Sequence, residues 1–188
     1  SVWYPATVDA DSPTMRFEEY LYLLSQELDF SPPSEEKRQK GVEVFINQAV
    51  SNGAELDRLN KLRKMPTLAV KDAPNAKGKF PLIIFAHANP GSQSIMCEYL
   101  ASYGYIVGAI PSKGATTFEY RLSVPNLEAM IADLKFVEET LQDFPTTDKD
   151  KLGFIGMSNG AMSSLGRHLS NPKVKAIVSL DGSVGDRG

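Results

Sequence analysis

Apolar residues recur every three or four positions through the first third of the chain. Through the rest they come as short continuous runs. Val2-Trp3-Tyr4 is an aromatic and β-branched stretch stopped by Pro5, which predicts an edge strand. Phe17, Leu21, Leu24 and Leu28 share one helical face, and Ser31-Pro32-Pro33 breaks that helix. Ser34 followed by Glu35 and Glu36 is a helix start with the charge that suits the dipole. Val42, Phe45, Ala49 and Val50 supply its apolar face, and Asn52-Gly53 ends it. Leu56, Leu59 and Leu62 make a third, shorter helix ended by Pro66. The charges crowded between Glu35 and Lys64 read as solvated helix faces.

The pattern changes after residue 66. Thr67 to Lys71 predicts a weak strand, and Asp72 to Lys79 a polar turn region. Pro81 to Ala86 is continuously apolar and too short for a buried helix, so it predicts a strand covered on both faces. A helix over 94–103 follows, with Gly104 at its end, then a second buried strand over 105–110. Ser123 and Pro125 open a helix carried by Leu127, Ile131, Leu134, Val137 and Leu141. Asp148 to Lys151 reads as a polar turn. Leu152 to Gly156 is a third buried strand, Ala161 to Leu169 a helix, and Val174 to Leu180 a fourth buried strand. Strand and helix thus alternate over 80–180. Short links of this kind imply right-handed crossovers and a mostly parallel, doubly wound α/β sheet.

Composition narrows the classes. The 188 residues carry 20 Lys and Arg against 23 Asp and Glu, a formal charge of −3, with no basic stripe to hold nucleic acid. Charged residues at 23% and apolar ones at 42% fit one packed domain and not a disordered segment. No apolar run reaches the roughly 18 residues of a membrane span. The single cysteine, Cys97, forbids an internal disulfide and a Cys-rich metal site. Ser1 to Ala6 lacks the charged and apolar segments of a leader. A leader removed before residue 1 stays open, and the compartment is left unassigned.

The strongest chemical signal is Gly156-Met157-Ser158-Asn159-Gly160, a G-x-S-x-G pentapeptide directly after a buried strand and directly before a helix. A serine hydroxyl is a weak nucleophile unless a base takes its proton and the backbone holds it exposed. A sharp strand-to-helix turn does the second. The glycines give room, and the N–H of Asn159 points to where an oxyanion forms. The alternative is a tight turn in which Ser158 only caps the next helix. A second oxyanion donor is expected from His87-Ala88-Asn89-Pro90-Gly91, at the end of the 81–86 strand. Pro90 has no N–H, which favours Asn89. Neither histidine makes a convincing base. His87 reads as a turn-ordering residue. His168 lies ten residues past Ser158 on the following helix, about 15 Å along its axis, and reads as a satisfied structural residue. Asp181 ends the 174–180 strand, where it is open to two roles: a solvated turn residue before Gly182, or the carboxylate that orients a base. Asp186, in a glycine-rich tail, is a weaker candidate. Cys97 reads as a core or half-buried residue. No metal-ligand spacing and no dinucleotide or phosphate loop occurs, so no cofactor and no metal are expected.

With these residues in view, the chain resembles the α/β-hydrolases. Within them it is similar to the branch of platelet-activating-factor acetylhydrolases and dienelactone-hydrolase-like esterases. The likeness is carried by SVWYPA at the start, GKFPLIIFAHANPGSQSIMCEYLASYGYIVGAIPS, DKDKLGFIGMSNGAMSS and AIVSLDGS, over about residues 80–183 and a few at the start. It implies one hydrolase domain over 1–188, with a helical insertion at about 14–65 that matches nothing placed. It implies Asp181 as the triad acid, and the N–H groups of Asn89 and Asn159 as oxyanion donors. Two departures stand out. The family's His-Gly is His87-Ala88 here, and the cysteine nucleophile of dienelactone hydrolases proper is Ser158. The family's histidine follows a later strand, so the resemblance implies a sheet incomplete at its C-terminal side. A missing segment or second chain would complete it, and the 174–180 strand would stand as an apolar edge. The implied activity is a serine hydrolase cleaving short or medium acyl esters, with a small-molecule ester as partner and no nucleic acid. A lipid surface contacted by the helical block rests on position alone. The rival readings are a non-catalytic binding protein on this scaffold, and a peptidase or thioesterase.

Overall fold

The computed structural model describes residues 1–26, 34–86, 90–111 and 123–182. They form two compact units: one of residues 1–7, 75–86, 96–111 and 123–182, the other of residues 8–26, 34–74 and 90–95.

In the first unit the sheet is built from β1 (Val2–Trp3), β2 (Phe80–Ala86), β3 (Ile106–Ile110), β4 (Thr147–Met157) and β5 (Val174–Leu180). Its order is β1-β3-β2-β4-β5. β1 is the short edge strand expected, and it runs antiparallel to β3. The remaining pairings are parallel. The doubly wound α/β class is therefore observed. β2 and β3 read as unbroken apolar runs because central parallel strands are covered on both faces. Leu82, Ile84, Ile106, Leu134, Leu141, Leu152, Phe154 and Val174 form the core beneath them.

Helix α5 (Val124–Gln142) packs on that core. Its N-cap is Ser123, whose side chain accepts from the Asn126 N–H. Its buried Glu138 accepts from Arg167 Nε at 3.0 Å and from Asn171 Nδ2 at 2.7 Å, which ties α5 to helix α6 (Asn159–Ser170).

Three expectations in this unit need correction. The 148–151 segment is not a turn between elements but lies inside β4. β2 pairs Pro81 with Asp148 and then Leu82 with Leu152, so the charged residues form a bulge that keeps the strand running. The helix expected from Ala161 starts at Asn159, directly after Ser158. And the 174–180 strand is not buried as its apolar run predicts, but stands at the edge, as the resemblance implied. β5 lies at the sheet edge, pairing only with β4 among the described residues, and Lys175, Ala176, Val178 and Ser179 are exposed along it.

The second unit is the helical block: α1 (Phe17–Gln26), α2 (Glu35–Ser51) and α3 (Leu56–Leu62). Ser34 caps α2 by accepting from the Lys37 N–H, and Asn52 ends it, as the spacing predicts. Leu28 and the Ser31-Pro32-Pro33 break lie outside the described residues. α1 and α2 meet through Phe17 and Phe45 edge to face, and through Gly41, whose missing side chain lets α2 approach the Leu21 carbonyl. The weak strand expected at 67–71 does not form. Thr67 N–H donates to Met15 O and Met15 N–H to Ala69 O, but α1 begins two residues past Met15, so no ladder can extend. Helix α4 (Pro90–Ser102) starts four residues before the predicted 94, consistent with the preference of proline for a first helical position. The boundary between the units falls inside α4. No helix among the described residues is long and apolar enough to cross a membrane.

Candidate active site

The geometry at residue 158 is set by close backbone packing. A Cβ at Gly156 would fall on the Gly160 carbonyl and the Ala161 amide nitrogen, so only glycine lets β4 turn back against α6 here. Between these contacts Ser158 sits at φ +50° and ψ −117°, a conformation that costs a non-glycine residue of order 1–3 kcal/mol. Its side chain makes no capping hydrogen bond to α6, and the residue is exposed. The capping alternative is thus not what the hydroxyl does: it lies at the C-terminal end of the parallel strands with no cap bond to make among the described residues. Crevices at that end are where open α/β sheets bind ligands.

Hydrogen bonds hold the turn on both sides. The Ser158 N–H donates to the Leu180 carbonyl at 2.9 Å, fastening the elbow to the end of β5. The Ala161 N–H donates to the Ser158 carbonyl at 3.0 Å, closing the first turn of α6. Asn159 is the first residue of that helix, and helix geometry gives its N–H no intrahelical acceptor. Asp181 follows Leu180 directly. It is exposed, with φ +48°, a conformation aspartate tolerates better than most residues. The structure thus brings Ser158, Asn159 and Asp181 to the ends of two neighbouring strands. Asn89, His87 and Asp186 lie outside the described residues.

The other candidates stand apart. His168 is half-buried on α6, and its Nδ1 is buried with no hydrogen-bond partner among the described residues, so the expected satisfied histidine is not found. Cys97 is fully buried, and burial pushes its thiol up to about 12. That keeps it protonated and unreactive at neutral pH. No group of three His, Cys, Asp or Glu among the described residues could hold a metal ion.

Reading by motif passes over two residues, Ser163 and Ser164. Both are fully buried, and both donate their hydroxyls to the Gly160 carbonyl, at 3.0 and 2.7 Å. The available signal is a pair of serines one turn inside a helix that follows G-x-S-x-G, where alanine would suit the helix better.

Comparison with known proteins bears on these features. The sequence model of platelet-activating factor acetylhydrolase, isoform II, matches residues 33–126, half of the chain. That span takes in α2 and α3 from the helical block left unplaced above, and ends before Ser158. No curated protein is matched by sequence. A ferulic acid esterase from Streptomyces cinnamoneus superposes with a TM-score of 0.60 at 19% identity, over 96% of this chain and 50% of its own. The chain therefore spans about half the length of that esterase, and the likeness is one of fold. A dienelactone hydrolase candidate from Klebsiella pneumoniae gives a TM-score of 0.46 at 22% identity, over 55% of this chain and 49% of its own.

Proposed function

The chain belongs to the platelet-activating factor acetylhydrolase isoform II family, and from that premise we propose that it works as a serine hydrolase on carboxylic esters. The observation that carries the reading is the Ser158 hydroxyl, exposed in a strained turn and not engaged in capping the helix it precedes. In this reading Ser158 Oγ attacks the ester carbonyl, the alcohol leaves, and an acyl group remains on the serine. The Asn159 N–H, joined by that of Asn89, receives the oxyanion. One such donor is worth about 10²–10³ in rate. Asp181 orients a histidine base that takes the Ser158 proton and later activates water to release the acid. His168 is not that base, because α6 carries it about 15 Å from the serine. The substrate class is short or medium acyl esters of small molecules. We read residues 14–65 as a helical insertion within a single hydrolase domain.

A fluorophosphonate probe applied to the intact natural protein tests this. Covalent labelling mapped to Ser158, abolished by Ser158→Ala and slowed up to about 10⁴-fold by Asp181→Asn, is the expected result. A folded protein that takes no label is a binding protein on a hydrolase scaffold, and the enzyme reading falls.

A further inference from the structure

We propose that Ser163 and Ser164 are positioning residues for acylation: their two hydroxyls hold the first turn of α6 so that the Asn159 N–H faces the oxyanion. The inference rests on the serine hydrolase reading above.

The hydrogen bonds around the elbow form a continuous series. The Leu180 carbonyl holds the Ser158 N–H, and the Ser158 carbonyl holds the Ala161 N–H. The peptide between Gly160 and Ala161 is then held at its other end, where Ser163 Oγ and Ser164 Oγ both donate to the Gly160 carbonyl. That peptide is the one that lies flat on Gly156. A helical carbonyl already has its partner in the N–H four residues on. Two further donors on one buried carbonyl are more than helix formation requires. Alanine at either position would be the better helix former and would bury no hydroxyl.

The double capture has a geometric effect. It fixes the plane of the Gly160–Ala161 peptide against the end of β4. The Ser158 and Ala161 N–H groups are both engaged. The N–H groups of Asn159 and Gly160, between them, are the ones to which the helix start gives no intrahelical acceptor. The Ser158 carbonyl that the Ala161 N–H holds shares its planar peptide with the Asn159 N–H, so fixing the Gly160–Ala161 peptide also fixes that donor before charge develops, which acts on the transition state and not on substrate binding.

The test compares the intact natural protein with Ser163→Ala, Ser164→Ala and the double variant. The substrate is p-nitrophenyl acetate, and the inhibitor is an aryl trifluoromethyl ketone, whose serine adduct carries an oxyanion. In the double variant kcat should fall about tenfold or more and the ketone inhibition constant should rise in the same proportion, with KM unchanged. Each single variant should show a smaller loss. Unchanged kcat and inhibition constant, with or without a lower melting temperature, would show that the serines only pack the helix. A fall in kcat without weaker ketone binding would place the loss elsewhere and overturn the inference. Should the double variant not fold, the single variants carry the same comparison. If the unsubstituted protein takes no fluorophosphonate label, the hydrolase reading fails and this inference goes with it. Labelling with unaltered variants overturns the inference alone.

Discussion

An alanine at Gly156 adds one methyl group where β4 meets α6. The methyl would fall on the Gly160 carbonyl and the Ala161 nitrogen, which are backbone atoms and cannot rotate away. The strand cannot yield easily either, since Gly156 is in register with Ala86 on one side and Ser179 on the other. Relief must come from a shift of the first turn of α6. Overpacking of this kind costs about 1–3 kcal/mol. In a protein of this size each kcal/mol lowers the melting temperature by about 2–4 °C, so the expected fall is about 2–12 °C. Ser158 and Asn159 ride on the same turn, and a displacement near 1 Å costs on the order of 10² in rate. Gly153, three residues back on β4, is the internal control. A Cβ there would meet the Ala176 carbonyl oxygen at 3.4 Å, ordinary contact, so Gly153→Ala should leave stability unchanged or raise it slightly. Thermal unfolding followed by circular dichroism, paired with fluorophosphonate labelling rates, reads both effects. If Gly156→Ala melts and labels like the unsubstituted protein, or if Gly153→Ala is equally damaged, the elbow argument is wrong.

Two further outcomes are expected. Glu138→Ala removes the acceptor of Arg167 and Asn171 and leaves a nearly buried guanidinium without its partner, costing about 3–5 kcal/mol in urea unfolding. A loss under about 1 kcal/mol would show that the cluster does not tie α5 to α6. Cys97 should resist a disulfide reagent such as DTNB in the native state at pH 8. With a thiol pushed up to about 12, roughly 10⁻⁴ of it is thiolate at that pH, against about a tenth for a free thiol at 9.0. The raised value means folding keeps the thiol neutral. This contribution to stability is whole below pH 9 and is lost as pH climbs toward 12. Stoichiometric reaction of the folded protein at pH 8 would contradict the burial.

The parts of the fold legible along the chain are those that depend on local pattern. Central strands show as apolar runs because both their faces are covered, and capped helices show through Ser34 and Ser123. What depended on which strand neighbours which was less legible from local pattern. Val174 to Leu180 has the apolar content of a central strand yet lies at the edge among the described residues, which the run of residues does not reveal and only the resemblance implied. Asp148 to Lys151 has the polarity of a turn yet continues a strand, because a bulge carries the extra residues outward. At the site, the motif announced the turn at Ser158, since glycine on both sides leaves little else for the chain to do. The Leu180 carbonyl and the two serines on Gly160 went unread, because a backbone acceptor and a buried hydroxyl look like any other residue in sequence.

The tight contact at the elbow also separates what is constrained there from what is not. Crowding falls on the backbone of residues 156, 160 and 161, while the residue at 158 is exposed. A side chain at Gly156 is therefore punished by collision, whatever the reaction. On the proposed reading, the nucleophile is therefore placed by the backbone that carries it and not by packing around its side chain.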